Sequence, residues 1–275
     1  GALDGFGATR RGLTSIVARA VQVAEQQAKA RSVGQEDMFG IAHSDRENSS
    51  EAVTAEDWGK AVQSPEWTDK DLLSWEKETL GLYLSGHPID RYDNELAGLS
   101  NVRLKDLKPG KRRVVGLIVS VRMVKGRRGQ MAIVTLDDKT ARAEVTIFSE
   151  VLQESVDRLS PDQVCVVEGK CQFDEFSGQH TIQAERVLGL DEARNRFAEN
   201  LLLRIEQPLA ADDTENLKGI LNGAKGGNCP VTIEYEQNQA SARMRLSDQW
   251  RINLSDQFLD HVASRYGVNC VRVEY

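Results

Sequence analysis

The sequence predicts an α+β multidomain chain: a helical N-terminal segment, a small five-stranded barrel, and a small α+β C-terminal domain. Three observations carry that prediction. Between Arg112 and Gly189 apolar and polar residues alternate in five short runs, with one helical run between the third and the fourth. Near the start, Leu13, Ile16, Val17, Ala20, Val21 and Ala24 recur at helical spacing. After Asn200 short alternating runs return, interleaved with two helical ones. At 275 residues the chain is too long for one small barrel, so about two to four folded units are expected.

The barrel can be laid out strand by strand. Its first strand is expected at Val114–Val124, and a basic loop, Lys125-Gly126-Arg127-Arg128-Gly129, turns it into a second at Gln130–Asp137. Asp138-Lys139-Thr140 makes the next tight turn, and Ala141–Phe148 is the third strand. Ser149 is placed to cap a helix to about Leu159, which Pro161-Asp162 stops. Strands four and five are Val164–Phe173 and Gln179–Val187, joined by a turn at Asp174–Gly178. Five strands with a helix between the third and fourth make the layout of an OB-fold barrel, the oligonucleotide-binding kind. Gly116 and Gly169 fall inside strands, where a missing side chain lets a small barrel bend sharply.

Ahead of the barrel, residues 1–34 form a helical segment whose main helix runs from Leu13 to about Lys29. Its apolar stripe needs a partner. Residues 1–12 read as the tail of a domain, and the opening Gly1-Ala2-Leu3, without Met, points to a piece of something longer. Residues 35–39 form a short motif, discussed below, at the root of an acidic linker, residues 40–66. The run from His43 to Gln63 is too poor in apolar residues to fold alone and is expected to be flexible. A helical connector, residues 67–110, follows, with helices from about Asp69 to Leu82 and from Ile89 to Leu96, separated by Gly86-His87-Pro88.

Beyond the barrel domain, residues 111–190, lies the C-terminal domain, residues 191–275. A connector helix at Asp191–Glu199 leads to a strand at Leu201–Glu206 and a helix at Asp212–Leu221. Gly223–Asn228 is a glycine-rich break. Three short antiparallel strands are expected at Pro230–Glu236, Ser241–Leu246 and Trp250–Asn253. Ser255 caps a helix to about Tyr266, and Val268–Tyr275 closes as a strand.

Composition narrows the function. No apolar run approaches the roughly 18 residues that span a bilayer, so no membrane partner is expected. Cys165, Cys171, Cys229 and Cys270 form no CxxC pair, and the first two share one face of a strand. Buried reduced thiols and a cytoplasmic setting follow, with no disulfide frame and no metal. Net charge is −7, which argues against a general nucleic-acid binder. The charge is unevenly spread, however. Arg103 to Gly129 holds ten Lys/Arg and one acid, whereas Gly40 to Leu80 holds ten acids and four Lys/Arg. A basic strip of that kind fits phosphates, and its other reading is a solvated face that keeps the barrel soluble.

The residues that could touch single-stranded nucleic acid are Lys125, Arg127 and Arg128 of the first loop, with Arg112 and Arg113 at the barrel's entrance. Phe148, Phe173 and Phe176 are the barrel's only aromatics, too few for a row of stacking platforms, so weak and salt-sensitive contact is expected. Ala224-Lys225-Gly226-Gly227 lacks the spacing of a phosphate loop and is read as a loop. His87 stands before a proline with nothing of matching chemistry beside it in sequence, and is read as structural. No carboxylate pair, Cys/His dyad or nucleophile elbow appears, so neither catalysis nor a cofactor is expected. Met38 and Phe39 have two readings: anchors that tuck onto the neighbouring helix, or a linear motif entering a partner's groove with Gln35 at its edge.

A resemblance then joins these parts. The order of Gln35-Glu36-Asp37-Met38-Phe39, an acidic linker, Glu78-Thr79-Leu80-Gly81-Leu82-Tyr83-Leu84-Ser85-Gly86-His87-Pro88, and the barrel with Leu136-Asp137-Asp138 resembles the C-terminal region of bacterial DNA polymerase III alpha subunits. The resemblance implies that the catalytic carboxylates lie upstream of Gly1 and that this part is not itself an enzyme. It implies that Gln35, Met38 and Phe39 dock on the sliding clamp, and that residues 1–12 end a helix-hairpin-helix region. The barrel would meet single-stranded DNA, and the C-terminal domain the tau subunit of the clamp loader. The rival from another class is the RNA-binding barrel of an enzyme such as an aminoacyl-tRNA synthetase. A third reading makes the barrel a protein-docking module.

Overall fold

The computed structural model describes residues 4–32, 53–126, 129–175, 178–205, 211–237 and 240–275. The chain divides into two compact units, Gly1–Gly86 and His87–Tyr275. None of its described helices is long and apolar enough to cross a membrane.

The first unit holds α1 (Arg10–Ser32), α2 (Ala55–Gln63) and α3 (Asp69–Leu80). Here the acidic run departs from expectation, because it folds from residue 55 onward. Thr54 and Asp57 form a capping box: the Asp57 N–H donates to Thr54 Oγ1 (3.1 Å) and the Thr54 N–H to Asp57 Oδ2 (2.9 Å). Ala61 is buried against α1, so close that a Cβ on Gly12 would stand 2.0 Å from the Ala61 carbonyl oxygen. Low average hydrophobicity hid a helix that needs only a small apolar face. The stripe of α1 thus finds part of its partner inside the chain, while Val17 and Val21 stay exposed. Glu66 accepts the N–H groups of Arg10 and Arg11 at the start of α1, where an anion suits the helix dipole.

The second unit begins with α4 (Asp93–Leu99) and the barrel: β1 (Gly110–Gly126), β2 (Gly129–Asp137), β3 (Arg142–Ile147), α5 (Ser149–Ser155), β4 (Val164–Asp174) and β5 (Gln179–Gly189). The strands close in the order β1-β2-β3-β5-β4. β1 is longer than expected because it serves two neighbours in series. Its first half pairs with β4 and its second with β2, with an irregularity between Ile118 and Ser120. Val114, Ile118, Val134, Leu136, Val145, Ile147, Cys171 and Ile182 point inward and are buried. Gly169 lies at a register shift between β4 and β5, where a Cβ would meet the Gln183 carbonyl oxygen at 2.3 Å. Leu152 of α5 and Leu104 and Leu107 of the preceding segment pack into the same core. Phe148, not Ser149, occupies the cap position of α5, which gives way after Ser155 to a 3-10 turn at Val156–Arg158.

After α6 (Leu190–Phe197) come β6 (Asn200–Ile205), α7 (Ala211–Gly223), β7 (Lys225–Cys229), β8 (Val231–Gln237), β9 (Ala240–Arg245), α8 (Asp256–Tyr266) and β10 (Val271–Glu274). The sheet order is β10-β6-β8-β9. β8 pairs antiparallel with β9, as expected of the first two strands of the trio, but it also runs parallel to β6, so the sheet is mixed. The cause is α7, a crossover long enough to return the chain to the same end of the sheet. The glycine-rich break at 223–228 also departs from expectation: β7 begins in it and runs on to Cys229, and Lys225 and Cys229 both bridge to Ile252. Ile252 is what remains of the expected strand at 250–253, since Asp248–Trp250 is a 3-10 turn. All four cysteines are buried and free; burial pushes the Cys165 thiol up to about 12.

Candidate nucleic-acid interface

Strand pairing lines up the outward face of the barrel in rows. One row is Ser120, Thr135, Glu144 and Thr181; the next is Arg122, Ile133, Thr146 and Gln183. Val124 and Met131 follow towards the hairpin tip, where Lys125 is exposed. The Ser120 hydroxyl donates to Thr135 Oγ1 at 3.1 Å, which ties the first row across the strands. The face is mostly polar, with Ile133, Val124 and Met131 as its apolar members and the cations Arg122 and Lys125 toward the hairpin end. In OB barrels this face and its flanking loops hold the ligand strand; here Arg122 and Lys125, both exposed, give it positive charge.

The structure treats the sequence-predicted residues unequally. Lys125 stands in the open. Arg127 and Arg128 lie outside the described residues, as do Gln35, Met38, Phe39 and Phe176. Arg112 folds back on the chain, donating to the carbonyl oxygens of Lys108, Pro109 and Lys111 at 3.0–3.1 Å. Arg113 is committed to packing: its guanidinium lies 4.0 Å from the Phe197 ring centroid and donates to the Gly98 carbonyl at 3.0 Å. Its Nε is buried without a partner. Sequence reasoning placed Arg122 in the basic strip without making it a site residue, although alternation with Val121 already marks it as outward. Phe148 and Phe173 are exposed. Phe173 carries the inward parity of Cys171 past the end of the barrel and meets His180 edge-on at 5.3 Å.

His87 does have a carboxylate near it, Asp137, with Nε2 3.9 Å from Oδ1. Its Nδ1 accepts the Ile89 N–H at 3.3 Å, which fixes the turn into α4. Burial holds its pKa below the ordinary value, against the pull of Asp137 and Asp90. Asp138 is structural too. Its Oδ1 accepts from the Thr140 N–H and hydroxyl and from the Ala141 N–H, and its Oδ2 from the Leu104 N–H. Four donors on one buried carboxylate lock the β2–β3 turn to the segment that packs on the barrel core.

Comparison with known proteins fits this geometry. Residues 113–188 match the family model described as OB-fold nucleic acid binding domain, and residues 216–267 the one described as DNA polymerase III subunit alpha, C-terminal domain. DNA polymerase III alpha subunits match the whole chain: 36% identity in Pasteurella multocida, 36% in Vibrio cholerae and 34% in Escherichia coli K12. The chain corresponds to the C-terminal region of that subunit. In each case it covers 24% of the relative, about a quarter of its length.

A second arrangement in this alpha-subunit region was not visible in sequence. Arg194 of α6 is 1% exposed and makes a two-pronged pair with Glu95 of α4, Nε to Oε2 at 2.7 Å and Nη2 to Oε1 at 2.8 Å. Its Nη1 reaches Asp256 at the start of α8 (2.6 Å) and Asp191 (3.0 Å). The Tyr275 hydroxyl donates to Glu95 (2.6 Å) and the Tyr92 hydroxyl to Asp256 (2.8 Å). Around it Ile89, Leu96, Leu99, Val115, Val166, Leu190 and Ala193 form a core shared by α4, α6 and the barrel wall. The barrel and the C-terminal domain, the tail of the chain, are thereby held together by a buried charge with its partners, a geometry of the kind that sets orientation.

Proposed function

We propose that this chain is the non-catalytic, partner-binding part of a replicative polymerase alpha subunit. Gln35, Met38 and Phe39 dock in the hydrophobic groove of the ring-shaped sliding clamp. The barrel's outward face, with Arg122, Lys125, Arg127 and Arg128, touches single-stranded template weakly. The tail domain binds the tau subunit of the clamp loader. The observation that carries the reading is the end-to-end similarity to alpha subunits, on a chain that contains an OB barrel. Physically, several weak attachments on one chain raise effective concentration without a tight single contact, so the polymerase stays on the ring and can still leave it.

The test is binding of the full chain to immobilised purified sliding clamp, alongside a Met38→Ala, Phe39→Ala double variant. Saturable binding that disappears in the variant is the expected result. Equal binding by both proteins would return Met38 and Phe39 to a packing role.

A further inference from the structure

The tail sheet ends at β9, and among the described residues nothing covers that end. Ser241 to Arg245 are all exposed. The Leu246 N–H donates to the Val231 carbonyl at 2.9 Å, so these two residues form a hydrogen-bonded pair. Antiparallel ladders alternate bonded and non-bonded pairs, which makes Ile233–Met244 and Tyr235–Ala242 the next bonded ones. The backbone N–H and C=O groups of Ser241, Arg243 and Arg245 therefore point away from β8. Among the described residues no backbone hydrogen bond reaches them from outside the strand.

The side chains along this edge alternate in character. Arg243 and Arg245 lie on the face of the sheet away from the tail core, in rows with Glu234 and Thr232. Arg243 comes within 3.8 Å of Glu274, while Arg245 makes no ion pair among the described residues. Met244 lies on the other face beside Ile233, which packs on the tail core, yet Met244 is 56% exposed. That core runs out to the edge and stops uncovered.

We infer that β9 is a docking edge, which takes an extended segment of a partner protein as a fifth strand. The segment alternates acidic and apolar side chains. Residues directly opposite one another on adjacent strands share a face, so acids fall beside Arg243 and Arg245 and an apolar residue beside Met244. The outward N–H and C=O groups supply main-chain bonds, as in strand addition generally. Charge on an edge also serves to repel stray strands. This edge, however, has no proline and no bulge, and it puts a methionine where a third charge would protect it. The inference rests on the reading of the tail as a partner-docking domain.

The probe is a synthetic peptide of alternating Glu and Val, titrated against the full chain by fluorescence anisotropy, with amide hydrogen exchange as a second readout. Slowed exchange at Ser241, Arg243 and Arg245 is expected. The R243E/R245E variant should lose at least about tenfold in affinity and recover with a Lys-Val peptide. Ser241→Pro, which removes an outward N–H and leaves the β8 ladder intact, should weaken binding with all charges in place. No binding to the wild-type chain, equal affinity in R243E/R245E, or protection elsewhere overturns the inference. The same variants are then tried with purified tau. Tau binding that survives R243E/R245E removes β9 as the tau contact and keeps the tail-domain reading. Peptide binding at β9 without tau binding keeps the edge and removes tau as its occupant.

Discussion

Arg194 and Arg122 carry the same guanidinium group into opposite surroundings. Arg194 is sealed among Glu95, Asp191 and Asp256, with two tyrosine hydroxyls bonded to its partners. Arg122 stands on an open strand face whose own row offers Ile133, Thr146 and Gln183 and no carboxylate. The difference lies in the neighbours. A cation surrounded by carboxylates in a dry place has its bonding filled and orients whatever holds those carboxylates. A cation on an uncommitted polar face keeps its charge for something from outside. The two regions divide the work: one fixes barrel against tail, and the other stays available.

Removing the sealed charge should have the largest effect. Arg194→Ala leaves Glu95, whose side chain is 14% exposed, without its counter-charge, and Asp256 with only the weaker pull of Arg91. A loss of about 3–5 kcal/mol is expected in urea denaturation, because breaking one side of a buried pair strands the other. Replacing both partners, Arg194→Met with Glu95→Gln, should cost clearly less. A single-variant loss below about 1 kcal/mol would put the junction in the class of surface ion pairs and erase its contrast with Arg122.

Acid should reach the same junction by titration. Burial pushes the Asp256 carboxyl up, but Arg194, then Tyr92 and Arg91, hold it below the ordinary 3.8. Its ionised form contributes stability above the unfolded value, and that contribution is lost as pH falls through the lower folded value. His87 works in another window. Burial lowers its pKa from 6.5, so the folded state favours the neutral ring, and stability declines as pH falls from about 6.5 towards the folded value. Melting temperature against pH should show a shallow decline that starts near 6.5 and a steeper one below about 4. His87→Gln should remove the first alone, and Asp256→Asn should flatten the second. An upper step that persists in His87→Gln would assign it to another group.

These regions also differ in how far they could be read from sequence. Alternation placed the second strand at Gln130–Asp137 and the fourth at Val164–Phe173, each within a residue of its observed limits. It placed β1 too short, because periodicity cannot show that one strand serves two neighbours. The parallel pairing of β6 and β8 was missed because it depends on where α7 returns the chain. Arg113 was read as a surface cation, and only the fold brings Phe197 beneath it. The Arg194 junction was invisible, since Glu95 and Asp256 are distant in sequence and nothing local marks them. Lys125 was legible because the tip of a hairpin has few ways to hide a side chain, although it ends β1, paired with Gln130, rather than opening the loop. Arg122 was half-legible: alternation with Val121 pointed it outward, but only the pairing with Ile133 shows the row in which it stands.

The open face offers the smallest effect on stability and the one that bears most on function. Arg122→Glu with Lys125→Glu disturbs no buried packing, so unfolding free energy should change by no more than about 0.5 kcal/mol. Binding to single-stranded DNA should weaken. The slope of log affinity against log salt should shrink by about 0.7 for each phosphate no longer neutralised, or about 1.4 for both residues. Slope matters more than affinity here, because a local distortion lowers affinity at every salt concentration, whereas loss of counterion release changes how affinity responds to salt. A weaker complex with an unchanged slope would mean that neither residue meets a phosphate. Arg122 would then be free of carboxylates for a different reason, as part of a protein-docking face, and the contrast with Arg194 would hold for packing alone.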